Sequence, residues 1–95
     1  MIKHIVMFKL KEYSESNAIE MRDVLLSMKG KIDYLVDISA GADFLREGRS
    51  YDVVLECVFK SKEDLDAYQN HPVHIPVKDY IRARISGSCA VDYEF

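Results

Sequence analysis

The sequence predicts a two-layer α+β fold, a four-stranded antiparallel sheet with two helices on one face in the order βαββαβ. Three observations carry this. Four segments alternate apolar and polar residues at the period of a strand, two segments repeat apolar residues at helical spacing behind capping residues, and the 95 residues are too few to bury two independent cores. The whole chain, 1–95, is therefore one domain, and a split pair of β-α-β units is its most economical packing.

The first strand is Ile2 to Lys11. Ile2, His4, Val6, Phe8 and Leu10 share one face, and Lys3, Ile5, Met7, Lys9 and Lys11 share the other. Ile5 and Met7 make that second face half apolar, so something must cover it. In "YSESNAIEMRDVLLSMKGK", Ser14, Ser16 and Asn17 are candidate caps, and Asn17 with Glu20 has the spacing of a capping box. Ala18, Met21, Val24, Leu25 and Met28 form the inner stripe of the helix that follows, and Gly30 is placed to end it.

Two strands come next. Tyr34, Val36, Ile38 and Ala40 are in phase in the first, and Tyr51, Val53, Leu55, Cys57 and Phe59 in the second. The charged segment "LREGRS" between them predicts a hairpin with a long mobile tip. Ser61 and Asp64 repeat the capping spacing and start a second helix with Leu65 and Tyr68 on its inner side. Pro72 and Pro76 then predict an irregular corner, "HPVHIP", before a short helical turn, "VKDYIRAR". In the closing strand, Ile85, Gly87, Cys89, Val91, Tyr93 and Phe95 alternate with Ser86, Ser88, Ala90, Asp92 and Glu94. Two helices cover only one side of such a sheet, and the half-apolar second face predicts sheet-on-sheet homodimerisation.

Composition excludes several classes. With 48% hydrophobic and 31% charged residues the chain is an ordinary globular protein, and a net charge of -3 argues against binding a phosphate backbone. Lysines interrupt the opening apolar pattern, so neither a signal peptide nor a membrane span is predicted and the cytoplasm is the expected location. Cys57 and Cys89 lie within strands, 32 residues apart, and are expected to be buried thiols.

The segment "YQNHPVHIPVKDY" carries most of the chemistry. His74 in a proline-bounded corner is a candidate general base, with Tyr68 on the inner face of the preceding helix to steady a developing enolate. His71, immediately before Pro72, is a candidate ligand contact at the same corner and is also suited to satisfying backbone groups where that helix ends. No third ligand accompanies the two histidines, and the intervening proline spoils their alignment, so no metal is expected. His4 shares the helix-facing side of the first strand, and Val6, Phe8, Val24, Leu25, Leu65 and Tyr51 are expected to wall a pocket there. Lys78, Arg82 and Arg84 form a small basic cluster near the corner.

The opening "IKHIVMFKLK", the corner "YQNHPVHIPVKDYI" and the closing "VDYEF", in this order, resemble the stress-responsive α/β-barrel domain (Dabb) family over nearly the whole chain. The resemblance implies a ferredoxin-like fold and a homodimer in which two sheets meet face to face as a barrel. Some plant members are polyketide cyclases that close an aromatic ring by aldol condensation, and related barrels include cofactor-free monooxygenases, isomerases and haem-associated enzymes. By that likeness His74 is the general base, Tyr68 the group that hydrogen-bonds substrate, and His4 a neighbour in the same site, with Asp92 orienting His74. The reading that follows is a homodimer with a small-molecule pocket performing cofactor-free cyclase- or isomerase-like acid/base chemistry on a carbonyl or aromatic compound. A non-catalytic stress-associated dimer is the alternative, and cavity volume distinguishes the two.

Overall fold

A computed structural model describes all of residues 1–95. Seven elements follow one another: β1 (Ile2–Leu10), α1 (Glu15–Leu26), β2 (Leu35–Ala42), β3 (Val53–Phe59), α2 (Lys62–Tyr68), α3 (His74–Arg84) and β4 (Ile85–Glu94). The strands form one antiparallel sheet in the order β2-β3-β1-β4, the ferredoxin-like arrangement. No helix is long and apolar enough to cross a membrane.

The alternation in the sequence sets the two faces. Ile2, Phe8 and Leu10 of β1 and Val53, Leu55, Cys57 and Phe59 of β3 are buried beneath the helices, where they meet Ala18, Met21 and Leu25 of α1. Full burial of a side chain such as Met21 or Leu25 contributes about 2 kcal/mol. The cap of α1 is Ser14 rather than Asn17: the Ser14 hydroxyl accepts from the Asn17 amide at 3.0 Å, which frees the Asn17 side chain to donate to the Glu12 carbonyl. Ser61 caps α2 in the same way, accepting from the Asp64 amide at 3.2 Å.

Two local expectations are corrected, and the base of the β2–β3 connection carries its own contacts. In β2 the phase breaks at Val36, where a bulge puts two residues opposite one, so Val36 faces solvent while Ile38 is buried. The corner helix begins at His74 and runs unbroken to Arg84, because Pro76 falls in the first turn, where an amide proton has no partner within the helix. The β2–β3 connection is clamped: the Asp52 carboxylate, 2% exposed, accepts from the Leu10 amide at 2.7 Å and from the Arg46 guanidinium at 2.7 Å. Arg46 has a positive φ of 56°. Asp43 also accepts from its amide at 2.9 Å, and its guanidinium lies 3.7 Å from the Tyr13 ring centre. None of residues 45–50 approaches the cavity described below.

The face of the sheet away from the helices is uncovered. Ile5, Met7, Val91, Tyr93 and Phe95 share it, with Val91 61% and Phe95 62% exposed. Cys89 lies on this face and is half-buried, so only Cys57 is the fully buried thiol expected for both.

Candidate functional site

α3 and the β1–β4 half of the sheet line a cavity of about 300 Å³ that is open to solvent on one side. It exists because β4 presents small helix-facing side chains there, Ser88 and Ala90, and they do not fill the space under α3. β1 contributes His4, Val6 and Phe8, and α3 contributes two rows at i, i+4 spacing. One row is His74, Lys78 and Arg82, and the other is Val77, Ile81 and, just past the helix, Ile85. Leu25, Leu55 and Gln69 complete the walls.

His74 is fixed at its Nδ1, which lies 2.9 Å from the Tyr68 carbonyl. A carbonyl only accepts, so Nδ1 carries the proton and the lone pair belongs to Nε2. Burial drives the His74 pKa down to about 4, against the raising effect of the Tyr68 carbonyl and with help from the nearby charges of Lys78, His4 and His71. At neutral pH the ring is an uncharged acceptor.

His4 is fixed differently. It stands directly opposite Asp92 in the β1–β4 ladder, and its Nδ1 is hydrogen-bonded to Asp92 Oδ1. Facing a carboxylate, Nδ1 again holds the proton and Nε2 is left free. No buried side-chain nitrogen or oxygen lacks a partner, and neither Nε2 has one, so both reach the accessible space of the cavity that both residues line. The expectation that Asp92 orients His74 is thus corrected: register places it on His4, and His74 is oriented by backbone. The Asp92 side chain, 45% exposed, also borders a separate groove with Lys62 and Leu65.

Tyr68 lies under both imidazoles. Its ring stacks on His74 at 3.8 Å between centres with the planes 13° apart, and meets His4 edge-on at 6.2 Å. It is fully buried, and its hydroxyl sits in a sulfur-lined position 3.9 Å from Met28 Sδ and 4.0 Å from Cys57 Sγ, away from the cavity. Burial pushes the Tyr68 phenol far up and the Cys57 thiol up to about 12, so neither ionises at neutral pH.

The structure brings together His4, Val6, Phe8, Leu25 and His74 at the cavity, Tyr68 beneath it and Asp92 behind His4. It separates the rest. His71 Nδ1 accepts from the Val73 amide at 3.0 Å, and the ring packs edge-on against Tyr34. Leu65 belongs to the groove beside Asp92. Tyr51 is not a wall: because Asp52 turns inward to Leu10, the chain leaves strand alternation before Val53, and Tyr51 lies under the Lys9 ammonium at 5.4 Å on the open face. Val24 faces a shallow outer depression. Of the basic cluster, Lys78 and Arg82 reach the cavity, while Arg84 folds onto the Tyr80 ring at 3.8 Å. The Val77, Ile81, Ile85 stripe was missed, although its spacing stands in the sequence once Pro76 is allowed inside the helix. No three His, Cys, Asp or Glu side chains gather as metal ligands do.

A second depression of about 320 Å³ lies between Lys11, Glu20 and Tyr80 and holds no histidine. The Tyr80 hydroxyl donates to Glu20 at 2.6 Å, and Arg84 donates to the Tyr80 carbonyl at 3.1 Å. The two free Nε2 atoms distinguish the cavity under α3 as the candidate site.

The family model of the stress responsive A/B barrel domain (Dabb) matches residues 2–95. The chain belongs to the Dabb family. A stress-response A/B barrel domain-containing protein of Arabidopsis thaliana is 31% identical over 94 residues, 97% of this Dabb chain. The chain spans only 36% of that relative's length. Among solved structures, a ferredoxin-like protein from Bacteroides fragilis, described as dimeric and of unknown function, superposes with a TM-score of 0.82 at 24% identity, covering 99% of this chain and 95% of that one. A hydroxynitrile lyase from Passiflora edulis superposes with a TM-score of 0.79 at 12% identity over 97% and 90% of the two chains. At these identities the two structures establish the Dabb chain's fold, and several other such neighbours are described as dimeric ferredoxin-like proteins.

Proposed function

We propose that this Dabb-domain protein is a homodimer that binds a small carbonyl-bearing or aromatic compound under α3 and moves a proton on it, without metal or organic cofactor, in a cyclase-, lyase- or isomerase-like reaction. The observation that carries this is the pair of unpartnered Nε2 atoms, His4 and His74, presented to one cavity of about 300 Å³. That volume equals about ten water molecules and lies at the lower end of small-molecule sites.

The roles follow from what stands behind each ring. His4 takes the proton alpha to the carbonyl, because the Asp92 carboxylate on its far nitrogen stabilises the imidazolium that forms. His74, held neutral by burial, accepts a hydrogen bond from a substrate hydroxyl and fixes the reacting carbon over His4, whose Nε2–H then faces the enolate and returns the proton. Tyr68 is a positioning residue that sets both ring planes. The lyase neighbour supports a fold compatible with such chemistry and supplies no substrate. Dimerisation is supported by the uncovered apolar sheet face and by neighbours described as dimeric.

A non-catalytic binding protein is the second reading, favoured by the weak basicity of His74. The two part in one experiment: deuterium incorporation alpha to the carbonyl of pooled β-keto acids and aryl ketones, followed by NMR. Catalysed exchange that falls at least about 10²-fold in His4→Ala establishes the proton transfer. Absence of exchange in the native protein, with probes bound, overturns it in favour of the binder.

A further inference from the structure

We propose that the cavity selects a monocarboxylate, an acid whose anionic group sits between Lys78 and Arg82 while its carbonyl end lies at the histidines. The inference rests on the proposed function and adds the substrate's charge and length.

The α3 row His74, Lys78, Arg82 carries it. Successive members are one helical turn apart, about 6 Å along the axis, so the two cations stand progressively further from His74 on the same wall. Neither is strongly engaged by a carboxylate of the protein. Lys78 Nζ donates to the Gln69 carbonyl at 2.8 Å, where it satisfies the end of α2 and keeps two further donors. Arg82 has only Asp79 at 3.9 Å, a contact between two side chains that are each over 70% exposed. The chain as a whole has a net charge of -3, so two cations with no close carboxylate at the edge of a cavity whose other lining residues are uncharged or histidine are a local reversal of its electrostatics.

The remaining wall holds no further cation. Ser88 and Gln69 supply only neutral donors, and Val6, Phe8, Leu25, Val77 and Ile81 supply none, so burying an unpaired carboxylate further in is costly. The ligand that fits is therefore anionic at one end only. A ring with para substituents spans the step of one helical turn from the histidines to Lys78, the nearer cation, and Arg82 reaches the same end from the next turn, so an acyl-substituted benzoate matches the site's length and its two-ended polarity.

The test is a matched pair of probes, 4-acetylbenzoate and the neutral 4-acetylbenzamide, titrated against full-length protein while the His4 and His74 imidazole signals are followed by NMR. The acid is expected to bind at least about 10-fold more tightly than the amide, with that advantage shrinking as salt is raised. In Lys78→Gln with Arg82→Gln the preference for acid over amide should disappear, whatever the absolute affinity of the two probes. Arg82→Gln alone, at a solvated side chain, is the control should the double variant fail to fold, and it should lose part of the preference. Equal binding of acid and amide to the native protein overturns the anion subsite and leaves the proposed chemistry standing. If neither probe moves the histidine signals, the inference and the binding cavity are overturned together.

Discussion

Asp92 stands directly across the β1–β4 ladder from His4 and holds its Nδ1 on the helix-facing side of the sheet. Both residues belong to strands, so the orientation of this imidazole is set by the sheet, whereas that of His74 is set by the first turn of α3 and the Tyr68 carbonyl. One ring is backed by a charge and the other by a dipole. The site is thus asymmetric, with a proton acceptor that gains a counter-ion and a neutral hydrogen-bond acceptor that does not.

Asp92→Asn tests that asymmetry. An asparagine oxygen still accepts from Nδ1, so the ring keeps its place, but the charge that stabilises an imidazolium is gone. Exchange catalysed by the native protein is expected to fall by about 10²-fold or more. The fold should be retained, because the side chain is 45% exposed. An unchanged exchange rate would mean that Asp92 serves the sheet alone.

The depressed pKa of His74 makes stability depend on pH, and the sign is fixed. Well above pH 6.5 neither folded nor unfolded chain protonates this residue, and it contributes no dependence. As pH falls through 6.5 the unfolded chain takes up a proton that the folded one refuses until about pH 4, so stability is lost across that window. The full loss is about 3 kcal/mol. Lys78, His4 and His71 all oppose the charge, and carboxylates titrate near the lower limit, so the measurement is the urea stability of native protein minus that of His74→Gln between pH 7 and 4. A difference that stays flat would show that His74 is not protected from protonation.

The order of elements, the two sheet faces and the two histidines of the cavity were legible because each follows from local periodicity or from a short motif. The partner of Asp92 was not. Which residue stands opposite Asp92 depends on the β1–β4 register, a relation across 88 positions that alternation alone leaves free by any even number of residues. Tyr51 was misplaced because a buried Asp52, drawn in by the Leu10 amide and Arg46, overrides strand phase just before Val53. Pro76 hid the start of α3, since a proline in the first turn and a proline breaking a helix are the same letter until the helix start is known.

Tyr68→Phe separates placing the histidines from touching a ligand. The ring that stacks on His74 survives, and only a hydroxyl with sulfur neighbours at 3.9 and 4.0 Å is removed. Those are weak partners for a fully buried group, so stability should change by less than about 1 kcal/mol. Probe affinity and exchange should stay within about 2-fold of native, whereas Tyr68→Ala, which removes the platform, costs about 3–5 kcal/mol. A loss of exchange in Tyr68→Phe at unchanged stability would assign the hydroxyl a direct part in the reaction.

Met7→Asp tests the open sheet face. Met7 lies on the central strand β1, flanked across the ladders by Cys89 and Val54, and is 38% exposed. In a lone chain an aspartate there remains solvated and costs little. In a face-to-face dimer, two-fold symmetry introduces it twice, and each carboxylate would lose water for several kcal/mol without gaining a cation. Dissociation should therefore be favoured by at least about 10³-fold, seen as a concentration-independent monomer in sedimentation velocity where the native protein sediments as a dimer. The cavity lies on the other side of the sheet, so the histidine signals should respond to probes in the monomeric variant as they do in the native protein. Persistence of the dimer in Met7→Asp would place the interface elsewhere, and loss of probe response on dissociation would mean that the second copy completes the site.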